Sequence, residues 1–489
     1  RKQHGKVMKR AWGYLTVYHS LTLTLILSFL LTMLEGARRH TVRMEAECIT
    51  DIGMNSVLAE FHRELLEQYD LLFVDMSYGT SRASIGNSSE HLRRYLQANC
   101  RQSSGDKGLF SARDWLALSV DRAVIGEYSL ASDDGGNVMK RQALEYMKGA
   151  SVEGIAADLL LRVNEVENLG LDTRDVAAER ENIQAQIDAV ELPKETDEEG
   201  EEYEIALDNP ADGVNASRNS FTLGMVLGSG YRVSGAAVRL EQYLSHRERR
   251  CGTGIPAGSP QPEGLAENLL FDCYLFDKCG HYGKETDKSV LKYQIEYLLA
   301  GKGSDVENLE NVVKRLLLWR EVANVIYLLS DSAKCAEAEI LALTLTAVFL
   351  VPELAEPVKY SILFAWAYVE SLADMRALLN DGKVPLMKTG SEWKTSIKSL
   401  FGFTGGTVEG GTGGSGLAYG DYLRIMLYME DGTKKNMRAM DLMEMDIRRT
   451  PGNAHFCMDA CFDSYTADVS ISSAYGYAYE TRRHYGYDK

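Results

Sequence analysis

"GYLTVYHSLTLTLILSFLLTMLEG", Gly13 to Gly36, decides how the rest of the chain is read. From Tyr14 to Leu34 it holds 21 residues without Asp, Glu, Lys or Arg. At about 1.5 Å per residue, such a helix spans a hydrocarbon core of roughly 30 Å. The apolar region of a cleaved signal is shorter, about 7–15 residues, and small residues follow it, whereas this segment exits directly into "LEGARRH". A permanent membrane span over 14–34 is therefore expected. Arg1, Lys2, Lys6, Lys9 and Arg10 precede it, against Arg38, Arg39 and Arg43 after it, which places the basic tail 1–13 in the cytoplasm and the bulk of the chain outside. Trp12, Tyr14 and Tyr18 fall where an aromatic belt marks the inner interface, and His19 lies too near that interface to be an intramembrane site. Within the span Thr16, Ser20, Thr24, Ser28 and Thr32 recur every four residues. Hydroxyls on such a slowly drifting stripe either face a neighbouring membrane helix or bond the carbonyl of the preceding turn.

Beyond the span, a hydrophobic fraction of 45% and a charged fraction of 25% are those of a globular protein. A net charge of -17 excludes a nucleic-acid-binding body, because phosphate neutralisation needs clustered Lys and Arg. Eight cysteines in 489 residues are too sparse for a disulfide framework. Cys273 and Cys279 are close enough in sequence to bridge if the chain turns between them.

The period of the apolar residues organises the remainder. Val42, Ala46, Ile49, Gly53, Val57, Phe61 and Leu65 recur at steps of three or four, which continues the membrane helix outward to about Tyr69. "DLLFVD", "DWLALSVD" and "AVIGEYSLAS" read as three strands before a turn at "DDGG", Asp133 to Gly136, so 35–140 is a stalk helix with a small sheet. A helical hairpin over 141–190, split at Gly170, precedes the acidic run "ELPKETDEEGEEYE" in a solvated linker, 191–220. Four periodic segments dominate a helical domain, 221–400. Two of them, Ile340 to Val351 and Ser361 to Val369, are too short to cross a bilayer and read as a buried hairpin. A Gly-rich linker, 401–416, leads to a tail, 417–489, of two helices and a hairpin. The fold class is α+β, mainly α.

Chemistry is sparse. In "LLFVDMSYG", Asp75 and Ser77 at a strand's end supply hard oxygens of the kind that bind a divalent cation in an Asp-x-Ser-x-Ser arrangement, with Gly79 in place of the last Ser. The alternative is that Asp75 and Ser77 only cap the local backbone. "HFCMDACFD", His455 to Asp463, has zinc-like spacing. Read as a strand, it sets Cys457 and Cys461 about 13 Å apart on one face, as two half-exposed thiols that share no metal. "VLGSGYRVSG" carries Gly228, Gly230 and Gly235 but has Val233 where a dinucleotide fingerprint needs Gly, and no phosphate-binding loop follows. No cofactor is expected.

Two resemblances add to this reading. "GYLTV" at Gly13 to Val17 resembles the start of Tad-type pseudopilins, in which a Gly is followed by two residues, then Thr-Val and a Glu; here Tyr18 stands at the Glu position. The resemblance implies one membrane helix extending into an extracytoplasmic domain, with processing between Gly13 and Tyr14. "AECITDIGMNSVLAEFHRELLEQYDLLFVDMSYGT", "SVLKYQIEYLLAGKGSDVENLENVVKRLLLWREVANVIYLLSD" and "AWAYVESLADMRALLNDGKVPLMKT" resemble a clostridial domain-of-unknown-function family, number 5702. That resemblance implies a single-pass envelope protein associated with Tad-like secretion or pilus systems. The expected role is a non-enzymatic, pseudopilin-like structural component whose partners are the lipid bilayer and proteins of such an apparatus. The alternatives are a cell-surface binding module using a cation near Asp75, or an envelope hydrolase whose site is assembled from distant residues.

Overall fold

The computed structural model describes residues 2–100, 116–149, 153–196, 202–204, 207–227, 232–255, 262–403 and 416–487. Helices dominate, around one four-stranded antiparallel sheet, which is the mainly helical α+β class expected.

Helix α1 runs from Lys2 to Leu58 and contains, from Tyr14 onward, the one helix among the described residues long and apolar enough to cross a membrane. Its two halves meet different surroundings. Leu25 is 70% exposed and Phe29 62%, whereas Val42, Ala46, Ile49 and Val57 of the outward stripe are buried. The helix stops at Leu58 and not at Tyr69, because the His62 N–H leaves the helical ladder to bond the Phe73 carbonyl at 2.8 Å. The His62 imidazole then accepts from the Leu65 N–H, capping a short helix α2, Arg63–Tyr69.

Strand β1 is only Val74–Asp75, and helix α3, Ile85–Cys100, packs on the outer half of α1. A Cβ at Gly53 would lie 2.6 Å from Leu96 Cδ2 of α3, so glycine is what lets these two helices approach. Strand β2, Leu118–Leu130, is one long strand where the sequence suggested two; register shifts at Val120/Arg122 and Ile125/Glu127 bend it without ending it. "DDGG" opens helix α4, Asp133–Met147, with Asp134, Gly135 and Gly136 all at positive φ. Helices α5, Glu153–Leu169, and α6, Val176–Asp188, follow, separated at Gly170 with φ 63°.

The acidic stretch read as a linker contains a small hairpin, β3 (Lys194–Thr196) with β4 (Glu202–Glu204). Its connecting residues lie outside the described set, as do 404–415 of the Gly-rich run and Gly228 and Gly230. Helices α7 (Pro210–Asn219), α8 (Gly224–Leu227) and α9 (Leu265–Lys278) precede the four periodic segments. Those segments form α10 (Gln294–Ala300), α11 (Asp305–Ser330), α12 (Ser332–Thr346) and α13 (Ala355–Leu379). Arg320 of α11, fully buried, donates to Asp374 of α13 at 3.1 Å and to the Pro385 and Leu386 carbonyls at 2.8 Å, fixing the two helices and the chain after them in one arrangement. The expected buried hairpin is half correct. Ser361 to Leu379 is buried throughout, but Ile340, Leu343, Val348 and Leu350 are exposed, Leu350 at 87%.

The tail supplies α14 (Tyr419–Met429), α15 (Gly432–Arg448), β5 (Cys461–Ser473) and β6 (Ala478–Gly486), the two helices and hairpin expected. Strand β5 is the centre of the sheet. β2 pairs along one edge, from Leu118↔Ser473 to Leu130↔Phe462, while β6 and then β1 share the other edge. The sheet thus draws strands from both ends of the chain. One core forms between it, α3 and the outer half of α1; a second, larger core fills the helical body inserted between β2 and β5.

Candidate functional site

In the apolar half of α1, Thr24 Oγ1 donates to the Ser20 carbonyl and Thr32 Oγ1 to the Ser28 carbonyl, both at 2.8 Å, and Ser28 Oγ to the Leu25 carbonyl at 3.2 Å. These hydroxyls take the intrahelical option, and with Thr16 and Ser20 they line an exposed stretch of helix. Gly13 and Tyr14 lie within the same unbroken helix.

At the end of β1 the chain turns through Tyr78 and Gly79, both at positive φ. Asp75 Oδ1 accepts from the Ser77 N–H at 2.8 Å and Oδ2 from the Ser77 hydroxyl at 2.6 Å; that hydroxyl oxygen accepts from the Gly79 N–H. Both residues are buried. Ser77 thus bonds the Asp75 carboxylate through both its N–H and its hydroxyl, which is the geometry of a local backbone cap.

Beside Ser77 opens a cavity of 260 Å³ whose far wall carries Arg250, Arg448, His455 and Cys457. Residues 458–460 form a 3-10 turn, which breaks the strand alternation expected for "HFCMDACFD". Instead of two half-exposed thiols, Cys457 is half-buried and Cys461 fully buried. The turn brings Cys457 and Asp459 to Glu444 of α15, with one ligand-type atom of each within 4.8 Å of the others. Three guanidiniums already neutralise this cluster. Arg247 bridges Glu444 at 2.6 Å and both oxygens of Asp459 at 2.7 Å, Arg250 donates to Asp459 from its backbone N–H and its side chain, and Arg448 reaches Glu444 at 2.9 Å and the Cys457 sulfur at 3.3 Å.

Burial works to raise Asp459, but the hydrogen bonds and charge of Arg247 and Arg250 hold it below its ordinary value. Burial, aided by Glu444, pushes the Cys457 thiol up, so it is a neutral thiol and no ready nucleophile. A metal would have to displace Arg247. Chemically the cluster is a clamp: it ties α15 and the 247–250 loop to the start of β5. Sequence reading missed Arg247, Arg250 and Glu444; the one signal was the basic run "RERR" at 247–250, whose acidic partners lie about two hundred residues away. Cys273 and Cys279 are both free thiols, because the chain between them is helical and does not turn.

Comparison with known proteins adds one finding. A model of the family described as "family of unknown function (DUF5702)" matches residues 197–473, more than half of the chain, up to the last residue of β5. No curated protein and no solved structure matches the chain. On the extent of that match, the chain belongs to the family of unknown function DUF5702.

Proposed function

We propose that the protein is a membrane-anchored, extracytoplasmic structural component, pseudopilin-like, of a Tad-like pilus or secretion apparatus, with a cytoplasmic N-terminus and no enzymatic role. The observation that carries this reading is the divided character of α1. Its apolar half, bare from Tyr14 to Leu34, needs a cover of lipid or neighbouring membrane helices, while its outer half is sealed into a folded body. The junction between the halves supports the same reading. The Arg38 guanidinium lies 4.3 Å from the Tyr475 ring centroid and Arg39 5.3 Å from that of Tyr477, whose hydroxyl also bonds Glu35. The β5–β6 hairpin therefore meets α1 one turn after the last apolar residue, with tyrosines and arginines at the level where a bilayer's interface would lie. Further out, Tyr479 bonds Glu47 at 3.2 Å and Arg483 pairs with Asp51 at 2.6 Å, which holds stem and sheet as one unit.

Two variants test the two parts of the proposal. Deleting residues 1–34 should release the protein from membranes, and a deleted protein that stays in the membrane fraction contradicts the anchor. A photo-crosslinking residue at Ser28 in the intact chain should yield adducts with another membrane-helix protein or a second copy. Adducts with lipid alone would reject the assembly role and leave a simple anchored protein.

A further inference from the structure

Four parts of the helical body converge on a cavity of 310 Å³ that belongs to neither the stem nor the arginine clamp: the end of α9, the turn 281–284, the C-terminal end of α13 and the start of α14. Small-molecule pockets begin at about 300 Å³. Phe276, Tyr282 and Tyr419 provide ring walls, and Leu378 and Leu379 an apolar side.

The walls are held in place before any ligand arrives. His281 and Lys284 exchange backbone hydrogen bonds at 3.0 and 2.8 Å across a turn that Gly283 closes at φ 84°. Behind the walls, the fully buried Glu296 accepts from the Tyr282 N–H and from the Tyr419 hydroxyl, each at 3.0 Å. The His281 Nδ1 donates to the Tyr282 carbonyl at 2.7 Å, which leaves Nε2 as the unprotonated nitrogen beside Gly420. Such preorganisation lowers the ordering cost of binding.

Two charges on this cavity have no hydrogen-bonded or ionic partner among the described residues. Arg424 stacks 4.7 Å from the Phe276 ring centroid and makes no hydrogen bond or ion pair among the described residues. Asp381, an exposed residue at positive φ in the turn after α13, likewise has no hydrogen-bonded or ionic partner for its carboxylate among them. A ligand that is only an anion would face Asp381 and Asp421; one that is only a cation would face Arg424 and Lys284. A ligand with both charges close together satisfies the two unmatched groups at once, since a guanidinium fork fits a carboxylate and an aspartate fits an ammonium.

We propose that this pocket binds a small zwitterion of the α-amino-acid type, free or at the end of a short peptide, with its carboxylate on Arg424, its ammonium on Asp381, and an apolar side chain against Leu378, Leu379 and the tyrosine rings. The proposal stands independently of the assembly role, because the pocket contains no residue of the stem or sheet.

Calorimetric titration of the detergent-extracted full-length protein with L-leucine and D-leucine is the test, with 4-methylpentanoate and isoamylamine as probes that keep only the carboxylate or only the amine. Saturable binding of at least one leucine enantiomer is expected, weakened at least tenfold, about 1.4 kcal/mol, by Arg424→Gln and by Asp381→Asn. Arg424→Lys, which keeps the charge and loses the fork, should fall between Arg424→Gln and the unaltered protein, with unchanged thermal unfolding as the control for folding. No saturable heat from either enantiomer at millimolar concentration overturns the proposal. So does 4-methylpentanoate binding as tightly as leucine, which would make the pocket a plain anion site.

Discussion

Glu296 shows how a single buried carboxylate shapes this molecule. Burial is the main cause that pushes it up to about 7, opposed by hydrogen bonds from Tyr282 and Tyr419, and its second oxygen has no hydrogen-bond partner among the described residues. The unfolded chain would protonate it near 4.5. A folded-state value above the unfolded one means the folded state holds the proton more tightly, so the stabilisation is full below pH 4.5 and is lost as pH rises through about 7. Glu296→Gln should remove this contribution. The unaltered protein should lose on the order of a few kcal/mol relative to the variant between pH 5 and 8.5, read from denaturant unfolding at each pH. A pH-independent difference between the two would contradict the assignment. Nothing in the local sequence "YQIEYLLAG" distinguishes this Glu from a surface one, because its partners Tyr282 and Tyr419 arrive from elsewhere in the chain. Asp75 was legible for the opposite reason: its partner is two residues away, so the cap could be read from the sequence as an alternative to the metal site.

At the level of elements, apolar periodicity located the helices but not their neighbours. Helices α12 and α13 both read as apolar, yet α13 is enclosed by α6, α7, α11 and α12, whereas α12 has one covered face. A run such as "ILALTLTAVFL" carries apolar residues on every side, so no period marks which side is buried. Thermal unfolding separates the two cases. Ile340→Ser on the bare face of α12 should change stability by less than about 0.5 kcal/mol, and Ile362→Ala by about 2–5 kcal/mol, because only the second leaves a cavity in a packed core. Equal costs for the two variants would mean that α12 is covered by something the isolated chain lacks. Strand β2 teaches a related lesson. "DWLALSVD" and "AVIGEYSLAS" looked like two strands because bulges interrupt the alternation, while pairing with β5 carries through both.

Across the whole molecule, the least legible feature is that the sheet is built from both ends of the chain. Strands β1 and β2 and the hairpin β5–β6 are each visible in the sequence, but their registry, Leu118 opposite Ser473 and Val74 opposite Phe462, joins segments more than 350 residues apart. This closure attaches α1 firmly to the body that follows it, and the proposed location and assembly role both rest on the apolar half of α1. The central claim is that the body stands outside the membrane. Cys251 and Cys48 are its exposed thiols, so labelling intact cells with a membrane-impermeant maleimide tests that claim most directly, with Cys48→Ser present to isolate Cys251. Labelling of Cys251 in unbroken cells is predicted. Labelling only after lysis would place the body in the cytoplasm and contradict the account.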